Sequence, residues 1–181
     1  MPTGDCGDQT AALVAAGLRD VPDFPQPGVL FKDIAGLLAD HTAFSAAIAA
    51  LADAARELGS VELVTGVEAR GFVLAAALAA QLRCGLVLTR KAGKLPPPTL
   101  RRAYQLEYGQ AELEVPVGVL DGRGVYLVDD VLATGGTLAA AVALLTQAGA
   151  RVLGIGVLLE LEFLAGRSLL PDVPTTALLR V

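Results

Sequence analysis

The hydrophobic residues of this chain fall into short blocks whose period changes along the sequence, and each change marks an element. From Ala43 to Leu58 the apolar positions Phe44, Ile48, Leu51, Ala55 and Leu58 share one helical stripe, with Asp53, Arg56 and Glu57 off it. Gly59 stops this helix, which is expected to cover a sheet. Elsewhere the pattern is a continuous run. Val125, Tyr126, Leu127 and Val128 predict a strand buried on both faces, and the run ends abruptly at Asp129 and Asp130. A loop of small residues, Ala133-Thr134-Gly135-Gly136-Thr137, leads into a helical stretch, LAAAVALLTQAGA, with Gly149 as its C-cap.

The same order of strand, tight loop and helix occurs upstream. Val61 to Thr65 predicts a strand, Gly66 to Gly71 a loop, and Phe72 to Leu82 an Ala-rich helix. A third strand, Gly85 to Thr89, runs into Arg90-Lys91-Ala92-Gly93-Lys94-Leu95, a cluster of cations beside a glycine. After Pro96-Pro97-Pro98, the segment Tyr104 to Val115 alternates around Gly109 and predicts a two-stranded ribbon. Its charges and tyrosines read as too polar for core, and it is expected to form a mobile flap. Glu112 and Glu114 on the returning strand are expected to be dispensable.

Asp121-Gly122 predicts a turn, Val152 to Leu159 a strand, and Ala177 to Leu179 a last short strand. At the other end, residues 1–8 read as a disordered tail and Gln9 to Arg19 as a short amphipathic helix. Prolines then make Val21 to Gly28 a stiff extended segment leading into Val29 to Ile34. Strands alternating with helices predict an α/β fold, a central parallel sheet flanked by helices, with any ligand at the C-terminal ends of the strands.

Composition narrows the choices. The chain has 181 residues, enough for one domain over 9–181, and is 54% hydrophobic. No apolar run approaches the ~18 residues that span a bilayer. The opening MPTGDCGDQT is neither basic nor apolar, so no signal peptide is expected and the location is read as cytoplasmic. Cys6 and Cys84 have no metal or disulfide spacing, and the single histidine, His41, reads as structural, which sets aside the usual triad and zinc-hydrolase chemistries. A net charge of −5 weighs against a nucleic-acid partner, so the local cluster of cations calls for a small anion instead.

The loop after Asp130 is suited to such an anion. A helix N-terminus offers unpaired N–H groups and a partial positive charge, and glycines let the backbone approach closely. The Gly-Lys-Ser/Thr ending of a nucleotide P-loop is missing, which argues against an NTPase. The adjacent acids would repel a second phosphate but accept hydrogen bonds from vicinal hydroxyls. A sugar phosphate fits both halves.

The stretch VYLVDDVLATGGT resembles the phosphoribosyl-pyrophosphate (PRPP) signature of type I phosphoribosyltransferases, and FPQPGVLFKDI and YQLEYG resemble segments of the adenine phosphoribosyltransferases in particular. The resemblance implies transfer of a phosphoribosyl group from PRPP to adenine, giving AMP and pyrophosphate. Under it, Asp129 and Asp130 hold the ribose hydroxyls, and Ala133, Thr134, Gly135, Gly136 and Thr137 hold the 5′-phosphate. Pyrophosphate falls to Glu68, Ala69 and Arg70, across a cis Glu68-Ala69 bond, and to Arg90, Lys91 and Lys94. Ala92 departs from relatives that carry another cation there. Phe31 stacks on adenine while the backbone of Leu30 and Lys32 reads its edge.

A small hood is implied from about 22–35 and the C-terminal part. Glu107 is the implied general acid/base, on a flap with Tyr104 and Tyr108 that closes over PRPP. Mg²⁺ is the implied cofactor, held mainly through PRPP rather than by direct protein ligands, and a homodimer is the implied assembly. Two rivals share part of the pattern: a transferase for xanthine, hypoxanthine or guanine, and a non-catalytic PRPP-sensing regulator.

Overall fold

The computed structural model describes residues 5–106 and 109–181. A seven-stranded sheet runs in the order β5-β6-β4-β3-β7-β8-β9. Its parallel centre consists of β3 (Leu63–Val67), β4 (Gly85–Lys91), β7 (Gly124–Leu132), β8 (Arg151–Glu160) and β9 (Thr175–Arg180). The antiparallel pair β5 (Thr99–Leu106) and β6 (Gly109–Pro116) extends one side through β6 against β4. The expected α/β class is therefore the observed one.

Helices α1 (Asp5–Gly17), α2 (Ala35–Ala39), α3 (His41–Glu57) and α4 (Arg70–Leu82) share one core with Val64, Tyr126, Val128 and Leu158 of the sheet. Helix α5 (Gly136–Gln147) packs on the other core with Leu63, Val87, Leu127 and Ile155. Strand residues 124–128 are all buried, because helices cover both faces of β7. This is the physical basis of the unbroken apolar run.

Register positions the site. Leu63 pairs with Val125 on one side of β3 and with Gly85 on the other. The chain leaves β3 toward β4 through α4 and leaves β7 toward β8 through α5. The strand order thus reverses between β3 and β7, and the two loops open side by side there, where open α/β sheets bind ligands.

Several boundaries differ from the sequence reading. Helix α1 begins at Asp5, so residues 5–8 of the expected tail are helical. The proline-rich segment begins in β1 (Arg19–Pro22), which pairs antiparallel with β2 (Leu30–Asp33), giving the hood a hairpin. Strand β7 continues through the acid pair to Leu132, and residues 162–169 form two short 3₁₀ turns. The ribbon is a correction of substance. Leu113 and Val115 are fully buried in the core, and so is Glu114 between them, so β6 is an integral strand of the main sheet. Polarity misled because Glu114 is buried with its hydrogen-bonding partners.

Candidate active site

At the C-terminal ends of β3, β4 and β7 lies a cavity of about 900 Å³. Asp129 and Asp130 reach it from β7, Glu68, Ala69 and Arg70 from the β3–α4 turn, and Lys91 from the end of β4. Leu30, Phe31 and Lys32 of β2 line the hood side, and Tyr104 lines it from the ribbon. Ala133, Thr134, Gly135 and Thr137 complete the wall at the start of α5. Residues expected from separate stretches thus meet around one space. Glu107 and Tyr108 lie outside the described residues.

The start of α5 is prepared for an anion. Gly135 takes φ 84° as the N-cap, and no side chain caps the first turn among the described residues. Its N–H groups are left for a ligand. Gly135 has a second constraint, since a Cβ there would run into the carbonyl oxygen of Gly166, and one on Gly166 would run into that of Ala133. The two glycines let the C-terminal 3₁₀ turn lie directly on the loop that opens α5. Helix α4 also starts without a side-chain cap, at Ala69, and the Glu68-Ala69 bond is cis. By contrast α3, remote from the cavity, is capped by Asp40, which accepts a 3.0 Å hydrogen bond from the Ala43 amide.

The acid pair is electrostatically costly. Burial, then the neighbouring charge of Asp130, pushes the Asp129 carboxyl well above the usual carboxylate range. Burial also raises Asp130, although the Arg70 guanidinium opposes it. Asp129 Oδ1 accepts a 3.0 Å bond from the Asp130 amide. Arg70 lies 2.7 Å from Asp130 Oδ2, an ion pair that misses the direction of a hydrogen bond. These oxygens retain capacity for hydroxyl donors.

Arg70 also sits 4.6 Å from the centre of the Phe31 ring and donates to the Lys32 carbonyl at 3.0 Å. It links the acids to the hood and does not pair with Glu68. Phe24 meets the edge of Phe31 at 5.0 Å between centroids, which fixes that ring in the hairpin. The Lys32 ammonium is paired with Asp20 at 2.7 Å.

The basic loop differs in detail from expectation. Glu68 turns toward it, accepting from the Lys91 amide at 3.0 Å and from Arg90 Nε at 3.3 Å. Arg90 also donates to the Lys94 carbonyl at 3.2 Å, so its guanidinium braces the loop from within. Lys91 and Lys94 are exposed, and of the two only Lys91 lines the cavity. Gly136 does not line it.

Sequence reasoning left two contributions unassigned. Leu161, Phe163 and Leu164 form an apolar lip on the far side, and Phe163 is 72% exposed. An aromatic in a polar turn next to Gly166-Arg167 was the available signal. Glu114 is the other, and nothing in the alternation of the ribbon distinguishes it from Glu112.

A model of the phosphoribosyl transferase domain matches residues 36–170. An adenine phosphoribosyltransferase of Frankia casuarinae is 53% identical over 175 residues, covering 96% of this chain and 93% of the relative. The crystal structure of the adenine phosphoribosyltransferase from Rhodothermus marinus superposes with a TM-score of 0.91 at 41% identity, covering 96% of this chain and 99% of that one. The Saccharomyces cerevisiae enzyme, solved with an iminoaltritol bisphosphate and adenine, gives a TM-score of 0.89 at 35% identity, covering 94% and 99%.

Proposed function

The chain belongs to the phosphoribosyltransferase family, with adenine phosphoribosyltransferases as its relatives over nearly its whole length, and from that premise we propose how its residues divide the reaction. The reaction is transfer of the 5-phosphoribosyl group of PRPP to adenine, giving AMP and pyrophosphate, a step of purine salvage. The observation that carries the assignment of roles is the juxtaposition of under-satisfied acids with an uncapped helix start. One end asks for hydroxyl donors and the other for a phosphate, as a ribose 5-phosphate supplies.

Asp129 and Asp130 accept from the ribose hydroxyls, and Ala133 to Thr137 bind the 5′-phosphate with backbone N–H groups and the two threonine hydroxyls. Phe31 stacks on adenine. The backbone of Leu30 and Lys32 reads its edge, since a fixed carbonyl favours the 6-amino group over a 6-oxo group. The backbone from Glu68 to Arg70 and the cations of the Arg90 to Lys94 loop serve the pyrophosphate, while the Arg70 charge offsets that of the ribose acids.

Departure of pyrophosphate leaves positive charge on the ribose. The chain must therefore neutralise the leaving group, keep anionic groups near the sugar and exclude water, the last through closure of the part of the ribbon beyond the buried Leu113 to Val115, which carries Tyr104 and Tyr108. Glu107, between β5 and β6 in the sequence, accepts the proton that the purine loses as its N9 forms the glycosidic bond.

Mg²⁺ is the cofactor in this proposal. Among the described residues no three His, Cys, Asp or Glu side chains gather into a cation cage. That donor set fits an ion held mainly by PRPP oxygens, with Asp129 and Asp130 close by through the ribose hydroxyls. Bound there, Mg²⁺ supplies charge neutralisation for the leaving pyrophosphate.

We place the enzyme in the cytoplasm as a homodimer. No described helix is long and apolar enough to cross a membrane, and Val73 on α4 and Leu86 on β4 leave apolar surface exposed that a second copy could cover. The test is AMP formation from PRPP with adenine, hypoxanthine, guanine and xanthine in parallel. Product with adenine alone is expected, and preference for a 6-oxopurine would overturn the base assignment.

A further inference from the structure

Glu114 is a fully buried carboxylate whose partners converge from one loop and one strand. It accepts from the amides of Lys94 at 2.6 Å and Leu95 at 2.7 Å. Thr99 and Arg101 of β5 approach its second oxygen at 3.4 and 3.2 Å. Burial works against the charge, but these donors outweigh it and hold the carboxyl below its ordinary range.

Other amides of the loop are also taken. The Lys91 amide donates to Glu68 at 3.0 Å and the Ala92 amide to the Glu112 carbonyl at 2.9 Å. The amides of Lys91, Ala92, Lys94 and Leu95 are thus bonded inside the protein. Gly93 takes φ 83°, which lets consecutive amides turn inward. A loop so occupied meets an anion with its side chains, and their placement depends on what holds the backbone.

We propose that Glu114 is the positioning residue of the pyrophosphate loop, fixing the backbone at Lys94 and Leu95 so that the loop presents Lys91 to the leaving group. This rests on the assignment of the Arg90 to Lys94 loop to pyrophosphate. Glutamine at 114 keeps the size but turns one acceptor oxygen into an NH₂ donor facing groups that are themselves donors. One edge of the clamp then opens.

The test is Glu114→Gln, read in the reverse reaction as the KM for pyrophosphate alongside the affinity for AMP alone, with Glu112→Gln as control and Lys91→Ala as reference. The KM for pyrophosphate is expected to rise ~10-fold or more, as bonds to a charged acceptor become neutral or are lost, with AMP affinity within about twofold of wild type. Equal loss of AMP and pyrophosphate binding would mean general distortion and would overturn the positioning role. If Lys91→Ala raises the KM and Glu114→Gln does not, only the Glu114 role fails. If neither does, the assignment of the loop to pyrophosphate fails with it. Wild-type protein gives a second reading that needs no variant. Hydrogen exchange at Lys94 and Leu95 should already be slow without pyrophosphate, and rapid exchange that slows only on adding it would refute the clamp.

Discussion

Two sets of carboxylates, buried except for the half-buried Asp129, stand on the same sheet and titrate in opposite directions. Asp129 and Asp130 at the end of β7 are pushed up, by burial first and for Asp129 by the second acid as well. Glu160, opposite Leu132 on β8, is 5% exposed yet is held below its ordinary range, first by the hydrogen bonds of Arg167, which outweigh its burial. Glu114 belongs with Glu160, its amide clamp playing the part of Arg167. The longer helices α3, α4 and α5 divide in the same way, for remote α3 is capped and α4 and α5 at the cavity are not, although short α2 also lacks a side-chain cap. Where the fold buries a carboxylate for its own stability, it supplies the partners. The acids left short of partners stand at the cavity.

The largest effect is expected from a carboxylate belonging to neither set. Glu107→Gln keeps size and hydrogen bonding but cannot take a proton, and should lower kcat by ~10²–10⁴ with PRPP affinity nearly unchanged. Retained turnover, with chemistry shown to be rate-limiting by single-turnover kinetics, would leave the ribbon only a water-excluding role.

Removing a satisfied acid should affect the fold. Glu160→Ala strands Arg167, which donates from Nε at 2.9 Å, and Arg180, 3.4 Å away. Chemical denaturation should show a loss of about 2–3 kcal/mol, below the cost of breaking a fully buried pair because both arginines are partly exposed. A variant as stable as wild type would remove Glu160 from the contrast.

The pH dependence separates the sets further. Asp129 binds its proton more tightly in the folded chain than its ordinary 3.8, so its ionisation weakens the ligand-free fold as pH rises from there through the raised value. Asp129→Asn should therefore gain on wild type as pH rises. Glu160 behaves inversely: its contribution is present above its ordinary 4.5 and is lost as pH falls through the lowered folded value. Denaturation midpoints across the acid range should show the advantage of wild type over Glu160→Gln shrinking toward low pH. Parallel curves for the two variants would break the comparison. The smallest effect belongs to Glu112→Gln, expected within ~0.5 kcal/mol of wild type in stability, since its backbone carbonyl rather than its side chain holds Ala92.

The sequence made the parallel centre legible because β7 and its neighbours are covered on both faces, and continuous apolar runs report that directly. It made the acid pair and phosphate loop legible because a strand, two acids and a glycine loop are contiguous. The placement of Arg70 was not legible. Its contacts with Phe31, Lys32 and Asp130 join segments 38 to 60 residues apart, where the sequence pattern offered only a place in the pyrophosphate loop. Glu114 was hidden for a related reason, since alternation gives the face of a residue but not the donors waiting there. The lip of Leu161 and Phe163 depends on Gly166 seating its turn against Gly135, a tertiary contact with no periodic trace.

The most direct test measures ligand affinity and ligand-free stability together in Asp129→Asn and Asp130→Asn. Calorimetry with PRPP and Mg²⁺ should show losses of about 1.5–3 kcal/mol in each, as charged acceptors for the ribose hydroxyls become neutral ones. Without ligand at neutral pH, Asp129→Asn should melt at or above the wild-type temperature, because the charge it removes is one the empty fold holds at a cost. Undiminished PRPP affinity in both variants, or a marked fall in the melting temperature of ligand-free Asp129→Asn, would contradict the claim that these acids are kept for the ribose.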